Sequence, residues 1–246
     1  MQYVIQHKEY FPSTLVYGFL GRHPNINKHN YRDHKEAAKN RETILKSLNS
    51  EHSHVILTKQ VHGINCANIK TIEHIDYTKE GDAQTTNNKK FLIGVQTADC
   101  TPILLFDPTE KIVGVAHAGW RGAIDGIIDS TLKEMKKAGA TLCTTVAIIG
   151  PCIRQSSYEV DQDFIDRFLL EDMDNSKFFK KSSTAKGKFL FDLPGYVTHA
   201  LTQAQIKKIY DTKIDTFGDP NFFSYRRACL DEKKLDGHNL SFIGLR

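Results

Sequence analysis

Two histidines and one cysteine stand where apolar runs of this sequence end. His62 follows HVILTKQV, Cys100 closes FLIGVQTADC, and His117 lies near the end of IVGVAHA. Imidazole and thiolate are good ligands for Zn²⁺, and three protein ligands leave a fourth position open, as in catalytic zinc sites. Their spacing along the chain matches no local metal motif. The same atoms support a metal-free alternative, with Cys100 as nucleophile and His117 as its general base.

Two carboxylates lie close to these residues in the sequence. Asp82 stands in the turn-like segment EGDAQTT, and Asp99 directly precedes Cys100 in TADC. A carboxylate in such a position commonly caps a turn. It also serves to orient a histidine or to carry a proton, so both roles stay open for each residue.

Several arginines have neighbours that suit anion binding. Arg121 follows Trp120, the single tryptophan, between two glycines, and Arg22 ends YGFLGR. Arg226 and Arg227 close the aromatic run FFSYRR. Arginine beside an aromatic ring pairs with phosphate or stacks on a base, and simple surface stacking is the alternative.

The hydrophobic pattern predicts the elements that position these side chains. A buried strand over 112–117 ends at His117, and an amphipathic helix over about 121–138 follows, with Gly139 as its C-terminal cap. Chemistry in α/β folds is commonly found where strands end. Further strands are predicted at 54–63, with 64–70 as hairpin partner, and at 91–100, 102–107, 146–149 and 240–246.

Helix start signals and a lysine-rich segment complete the predicted outline. Helices are expected after Asp33, after Asp161 and near Asp192, where Pro194 falls in the first turn. Residues 177–188 contain five lysines and are expected to form a solvated loop. Because strands and helices do not alternate strictly, we expect a layered α+β domain with a mixed sheet.

Composition limits the classes of function. The 246 residues carry a net charge of +4, which suits a small anionic substrate and is too weak to indicate nucleic-acid binding. Five scattered cysteines without a CxxC pair argue against a disulfide framework. No signal-peptide pattern or membrane-length apolar run is present. We expect a cytoplasmic protein that binds neither nucleic acid nor membrane, and a monomer or weak oligomer.

Taken together, the motifs resemble one family, the YfiH-like proteins, also described as multicopper polyphenol oxidoreductase laccases and as peptidoglycan editing factors. TADC followed by proline, together with AHAGWRG, is highly specific in combination. The segments that carry the resemblance are QVHG (60–63), GDA (81–83), QTADCTPILLFD (96–107), VGVAHAGWRG (113–122), IGPCI with YEV (149–160), FDLP (191–194) and FFSYRR (222–227).

The resemblance implies a single domain over residues 1–246 with a layered α/β/β/α arrangement of mixed sheets, the CNF1/YfiH-like cysteine hydrolase fold. It implies that His62, Cys100 and His117 converge as catalytic residues and zinc ligands. The implied activity is phosphorolysis of adenosine, inosine, guanosine and S-methyl-5′-thioadenosine, together with deamination of adenosine. Arg22, Arg121 and Asp99 are expected to bind substrate, and the implied partners are purine nucleosides and phosphate.

Some positions depart from the family pattern, and two other activities remain as alternatives. Leu20–Gly21 replaces the usual Ser-Thr, and GHN at 237–239 replaces Gly-Arg, which puts the purine preference in doubt. A copper-dependent polyphenol oxidase would need paired histidines, and HSH at 52–54 is the single HxH pattern. A cysteine hydrolase acting on peptidoglycan precursors would use Cys100 and His117.

Overall fold

The computed structural model describes residues 4–5, 10–22, 34–48, 50–183, 186–232 and 237–246. Three 3-10 turns lie at Ile72–His74, Gln155–Ser157 and Met173–Phe178. The helices are α1 (His34–Ser47), α2 (Trp120–Asp125), α3 (Ile127–Lys137), α4 (Gln162–Glu171), α5 (Leu193–Gln203) and α6 (Tyr225–Leu230). The strands are β1 (Val4–Ile5), β2 (Leu15–Leu20), β3 (His54–Ile56), β4 (Cys66–Asn68), β5 (Ala83–Thr86), β6 (Phe91–Thr97), β7 (Thr101–Asp107), β8 (Ile112–Ala118), β9 (Val146–Ile149), β10 (Glu159–Val160), β11 (Phe179–Lys181), β12 (Phe189–Phe191), β13 (Lys208–Asp211) and β14 (Asn239–Leu245).

Two large mixed sheets organise the fold. One has five strands in the order β1-β2-β14-β6-β3, and the other has six in the order β13-β9-β7-β8-β5-β4. Each combines antiparallel pairs with parallel ones, such as β3 with β6 and β4 with β5. A third, three-stranded sheet has the order β10-β12-β11. The predicted α+β class with mixed sheets is confirmed.

The alternation of side chains along β8 shows how the layers form. Val113 and Val115 join the core shared by the two large sheets, whereas Ile112 and Ala116 face the layer that contains α3. On the outer face of the five-stranded sheet, Ile44 of α1 packs in a separate cluster. Burial of both faces of each sheet by apolar side chains gives the order helix, sheet, sheet, helix.

Side-chain caps begin two of the predicted helices. Asp161 accepts a hydrogen bond from the Phe164 backbone N–H at the start of α4, and Asp192 accepts one from the Gly195 N–H at the start of α5. Pro194 lies in the first turn of α5, as predicted. Asp33, the expected cap of the first helix, lies outside the described residues. No helix in the described ranges has the length and apolar character to cross a bilayer.

Three local predictions were wrong. The helix expected over 121–138 is two helices, because Gly126 adopts a left-handed φ of 101° between α2 and α3. Residues 64–70 are not the hairpin partner of 54–63, since β3 and β4 pair with strands of different sheets. The lysine-rich segment 177–188 is not all loop, because Phe179–Lys181 forms β11.

Candidate active site

His117 lies near the end of β8, on the side of the strand that faces the other large sheet. Because side chains alternate along a strand, His117 points the same way as Val113 and Val115. The register of β7 and β8 pairs Pro102 with His117. Cys100, two residues before Pro102, is thereby brought beside the imidazole, with its sulfur and the ligand nitrogen of His117 within 4.8 Å of each other.

A buried carboxylate holds both His117 and the loop that carries His62. Oδ1 of Asp82 accepts hydrogen bonds from His117 Nδ1 at 2.7 Å and from the His62 backbone N–H at 2.9 Å. Oδ2 accepts from the backbone N–H groups of Val61 and Gly63, at 3.0 and 2.9 Å. An ionised carboxylate only accepts, so His117 carries a proton on Nδ1, and Nε2 is the ring nitrogen that faces the other members of the site.

The backbone at His62 is left-handed, with φ of 60°, a conformation that a residue with a Cβ adopts at a cost. The hydrogen bonds that the backbone N–H groups of residues 61–63 donate to Asp82 hold the chain in this conformation. Gly119 packs against the same place, since a Cβ there would lie 2.9 Å from His62 Cδ2 and 3.0 Å from Cys100 Sγ. The turn after β8 therefore requires glycine for close approach.

Cys100 lies where the chain passes from one large sheet to the other. β6 belongs to the five-stranded sheet and β7 to the six-stranded sheet, and residues 98–100 connect them. Asp99 has a left-handed φ of 82° in this connection. The crossing places the Cys100 side chain, partly exposed, at the end of the space between the sheets.

His62, Cys100 and His117, hereafter the His/Cys/His group, have their ligand atoms within 4.8 Å of one another. Burial acts to raise the pKa of the Cys100 thiol, but the charge and hydrogen bond of His117, with a further hydrogen bond from His62, lower it to about 6. Burial acts to lower the pKa of His117, and the Cys100 thiolate and Asp82 raise it to about 9. The geometry therefore favours a thiolate beside an imidazolium when no metal is bound.

A cavity of about 620 Å³ contains this group. Its lining combines ligand-type side chains with aromatic rings, two arginines and two amides. The lining residues are Gln60, His62, Gln96, Ala98, Asp99, Cys100, His117, Trp120, Arg121, Ile153, Tyr158, Leu193, Tyr225, Arg226 and His238. A cavity of this size accommodates a small molecule with a ring system.

Asp99 and Arg121, two of the three residues predicted to bind substrate, line this cavity. The Arg121 guanidinium carbon lies 4.5 Å from the centre of the Trp120 ring. Asp99 has both carboxylate oxygens engaged: Oδ1 accepts from Thr216 Oγ1 at 2.7 Å, and Oδ2 accepts from Ser224 Oγ and the Arg226 backbone N–H. Asp99 thus ties the start of α6 to the connection that carries Cys100.

Arg22, the third residue predicted to bind substrate, is not part of the cavity lining. It is exposed after the end of β2, where its backbone N–H donates to the carbonyl of Asn221 at 2.7 Å. The departure of Leu20–Gly21 from the family pattern falls on this same segment. A contact between Arg22 and substrate stays a prediction.

The cavity also contains residues that the sequence did not single out as substrate-binding. Tyr158, Tyr225 and His238 lie in the motifs YEV, FFSYRR and GHN, so the motifs were visible but the direction of each side chain was not. Gln60 has a structural role, because its amide bonds the backbone N–H and carbonyl of Gln96 at 2.7 Å each.

The donor set of the His/Cys/His group fits a soft or borderline metal ion. Two imidazoles and a thiolate suit zinc or copper, and because Nδ1 of His117 is bonded to Asp82, Nε2 would bind the metal after losing its proton. The carboxylate behind His117 is the partner that metal-bound histidines commonly have. The group could therefore hold one metal ion with a further coordination position open.

The protein thus combines a four-layer α+β fold with a cavity that contains two histidines and a cysteine, and this combination defines its class. The chain belongs to the family described as Multi-copper polyphenol oxidoreductase laccase, whose pattern it matches over residues 16–246. Among solved structures it is similar to the hypothetical protein YfiH of Bacillus licheniformis, with a TM-score of 0.82, 24% identity, and coverage of 100% of this chain and 96% of that one.

Two of the relatives carry enzyme names. The chain is 35% identical over 225 residues to purine nucleoside phosphorylase RC0672 of Rickettsia conorii, covering 91% of each protein. It is also 35% identical over 133 residues to adenosine deaminase RL5 of an unknown prokaryotic organism, covering 51% of each. These similarities support an enzyme of this kind.

Proposed function

We propose that the protein phosphorolyses purine nucleosides and deaminates adenosine in the cavity that holds the His/Cys/His group. The observation that carries the proposal is the similarity to a purine nucleoside phosphorylase along 91% of both chains, together with a cavity whose lining falls within residues 16–246, the part that matches the family. The proposed substrates are adenosine, inosine, guanosine and S-methyl-5′-thioadenosine. The catalytic residues are His62, Cys100 and His117.

The shape and lining of the cavity support a nucleoside as substrate. The rings of Trp120, Tyr158 and Tyr225 offer flat apolar faces to a purine. Gln96 carries an amide, which both donates and accepts hydrogen bonds and so suits either a 6-amino or a 6-oxo purine. The finer preference among purines would depend on such polar contacts.

Zinc held by the His/Cys/His group is the proposed cofactor. When bound, it supplies a Lewis acid that lowers the pKa of a water molecule to about 7, which suits hydrolytic removal of the adenine amino group. Asp82 keeps His117 oriented and in one tautomer throughout. Copper is the less supported metal, because the described residues contain one group of three such ligands, and a multicopper centre needs several.

The test is an assay of metal-defined protein with each nucleoside, with and without phosphate, followed by chromatography of the purines and sugar phosphates. We expect free base and sugar 1-phosphate only with phosphate, the sugar being 5-methylthioribose for S-methyl-5′-thioadenosine and ribose for the others, and inosine from adenosine in either case. His117→Ala should abolish both reactions. The control is His199→Ala on α5, which lies outside the cavity lining. Equal product from wild type and His117→Ala would overturn the proposal.

A cysteine hydrolase is a second candidate, favoured by the chain of contacts from Asp82 through His117 to Cys100. This order of carboxylate, imidazole and thiolate activates a nucleophile in other enzymes. Its substrate would be an amide, such as a peptidoglycan precursor. Chelation of metal distinguishes the two, because it would stop a zinc-dependent reaction and leave a thiol-dependent hydrolysis intact.

We further propose a cytoplasmic location, a monomer or weak oligomer, and binding to neither nucleic acid nor membrane. All five cysteines are free, which supports a reducing compartment. The expected mass by light scattering is that of one chain at low concentration.

A further inference from the structure

Two arginines line the same cavity as the His/Cys/His group without being neutralised. Arg121 lies over the Trp120 ring, and Nη1 of Arg226 donates to the backbone carbonyl of Glu159 at 3.0 Å. Within the part of the chain that the structure describes, neither guanidinium forms an ion pair with a carboxylate. Their charges therefore remain available to an anionic ligand.

The carboxylates of Asp82 and Asp99 accept hydrogen bonds from donors other than the two guanidiniums. Asp82 accepts from His117 and from backbone N–H groups of its loop. Asp99 accepts from two hydroxyl groups and from the backbone N–H of Arg226, not from its guanidinium. Asp99 is thus a positioning residue, which holds the backbone of Arg226 at the cavity wall without neutralising its guanidinium.

Tyr158 connects the two arginines to the reactive thiol. The Arg226 guanidinium carbon lies 5.6 Å from the centre of the Tyr158 ring. The Tyr158 hydroxyl interacts electrostatically with Arg226, Arg121 and Cys100. Both guanidiniums and the Cys100 thiol therefore interact electrostatically with the same Tyr158 hydroxyl. An anion held between the two arginines and this hydroxyl would lie close to a substrate bound at the His/Cys/His group.

We propose that Arg226 and Arg121, with the Tyr158 hydroxyl as a further donor, form an oxyanion subsite that takes inorganic phosphate. The inference rests on the proposed phosphorolysis and assigns its second substrate. The planar fork of an arginine matches the oxygens of a tetrahedral oxyanion. One oxygen of hydrogen phosphate bonds to C1′ of the ribose as the C1′–N9 bond breaks. The electron pair of that bond passes to the purine, which takes the proton of hydrogen phosphate, and ribose 1-phosphate and free base result.

The test compares Arg226→Gln and Arg121→Gln with Arg167→Gln in the full-length protein. Arg167 is the matched control, because its guanidinium also lies over Trp120, at 5.4 Å, yet it does not line the cavity. Inorganic phosphate is titrated by calorimetry without nucleoside, and the KM for phosphate is measured with inosine. Both cavity variants should raise the Kd and the KM for phosphate at least about tenfold, as expected for loss of a charge-assisted hydrogen bond. Arg167→Gln should match wild type.

The other outcomes separate this subsite from the proposed function. If phosphorolysis occurs but both cavity variants behave like Arg167→Gln, the subsite is wrong and the proposed function stands. If no nucleoside is phosphorolysed but phosphate binds and both variants weaken it, the subsite stands and the proposed function is wrong. Absence of saturable phosphate binding, or an effect confined to one arginine, overturns the subsite. Circular dichroism checks that each variant is folded. If Arg226→Gln unfolds, the subsite is tested with Arg121→Gln, because Arg121 is exposed and its substitution should leave the fold intact.

Discussion

At the scale of residues, the site depends on a chain of contacts from a carboxylate to an imidazole to a thiol. Asp82 fixes the tautomer of His117, and His117 in turn lowers the pKa of the Cys100 thiol. The same carboxylate anchors the loop that presents His62. One buried side chain therefore sets both the geometry and the charge of the His/Cys/His group, which makes it the natural target for substitution.

We expect Asp82→Asn to damage the site and the fold together. An amide replaces one acceptor oxygen by a donor, so two of the four groups that Asp82 now accepts from would lose their partner. The free energy of unfolding should fall by roughly 2–5 kcal/mol. Affinity for zinc, measured by competition with a chelating dye, should fall about 10- to 100-fold.

The control for that prediction is Asp107→Asn. Asp107 is also fully buried and accepts from Thr109, Thr141 and Thr144, but it lies at the opposite end of β7 from the cavity. The Asp107→Asn variant should have a lower free energy of unfolding than the wild type but the same affinity for zinc. Equal zinc affinity in the two variants would show that Asp82 does not orient the ligands.

We expect alkylation of Cys100 in the metal-free protein to rise with pH and reach half its maximum near pH 6. Iodoacetamide reacts with the thiolate, and the lowered pKa keeps the thiolate form above that pH. In His117→Ala the midpoint should move to higher pH, because a positive neighbour and its hydrogen bond are lost. Partly buried Cys66 and fully buried Cys152, whose pKa burial raises to about 12, should stay unmodified. Peptide mass spectrometry resolves the sites, and a wild-type midpoint near the ordinary value of 9.0 would contradict the expectation.

At the scale of elements, the site is built from ends and connections of strands. His117 lies in β8, Asp82 lies in the turn before β5, and Cys100 lies in the connection from β6 to β7. The turn between β8 and α2 closes the arrangement, because Gly119 packs against two members of the His/Cys/His group. The backbone of that turn is therefore part of the site.

We expect Gly119→Ala to displace His62 and Cys100. Its Cβ would lie 2.9 and 3.0 Å from their atoms, closer than ordinary contacts. Zinc affinity by dye competition should drop at least about tenfold, the scale of effects from groups that orient ligands. Gly63→Ala is the matched control, because a Cβ there meets its nearest atom at 3.5 Å and needs no unusual φ. The expectation fails if both variants bind zinc like the wild type.

At the scale of the whole molecule, the two large sheets share one apolar core. Leu104, Val115 and Ile148 from one sheet pack in the same cluster as Ile93 and Ile243 from the other. The cavity lies at the end of this shared core, so the site forms only when both sheets are in place. Separation of the sheets would expose the core and divide the His/Cys/His group from its supports.

We expect the chain to unfold in a single cooperative transition, as the predicted single domain requires. Fluorescence of Trp120 reports on the helix layer beside the cavity, and far-ultraviolet circular dichroism reports on both sheets. The two signals should give the same midpoint in urea. Distinct midpoints would indicate independently folding units. In a cavity variant such as Arg121→Gln, the fluorescence and circular dichroism midpoints should still be equal to each other.

The sequence by itself determined the class of the fold and singled out the three residues, His62, Cys100 and His117, that the structure brings together in one cavity. Continuous apolar runs marked β6, β7 and β8, and the Asp161 and Asp192 caps were readable because capping depends on neighbours a few residues apart. The tertiary structure decided the rest. Pairing across sheets depends on contacts distant in the sequence, so the partners of β3 and β4 were wrong. The helix breaks at Gly126 because this glycine adopts a left-handed φ of 101°, which the apolar periodicity of the segment does not show. The presence of Arg226 and Tyr158 in the cavity lining, and the absence of Arg22 from it, follow from how the sheets and helices pack, which no local pattern encodes.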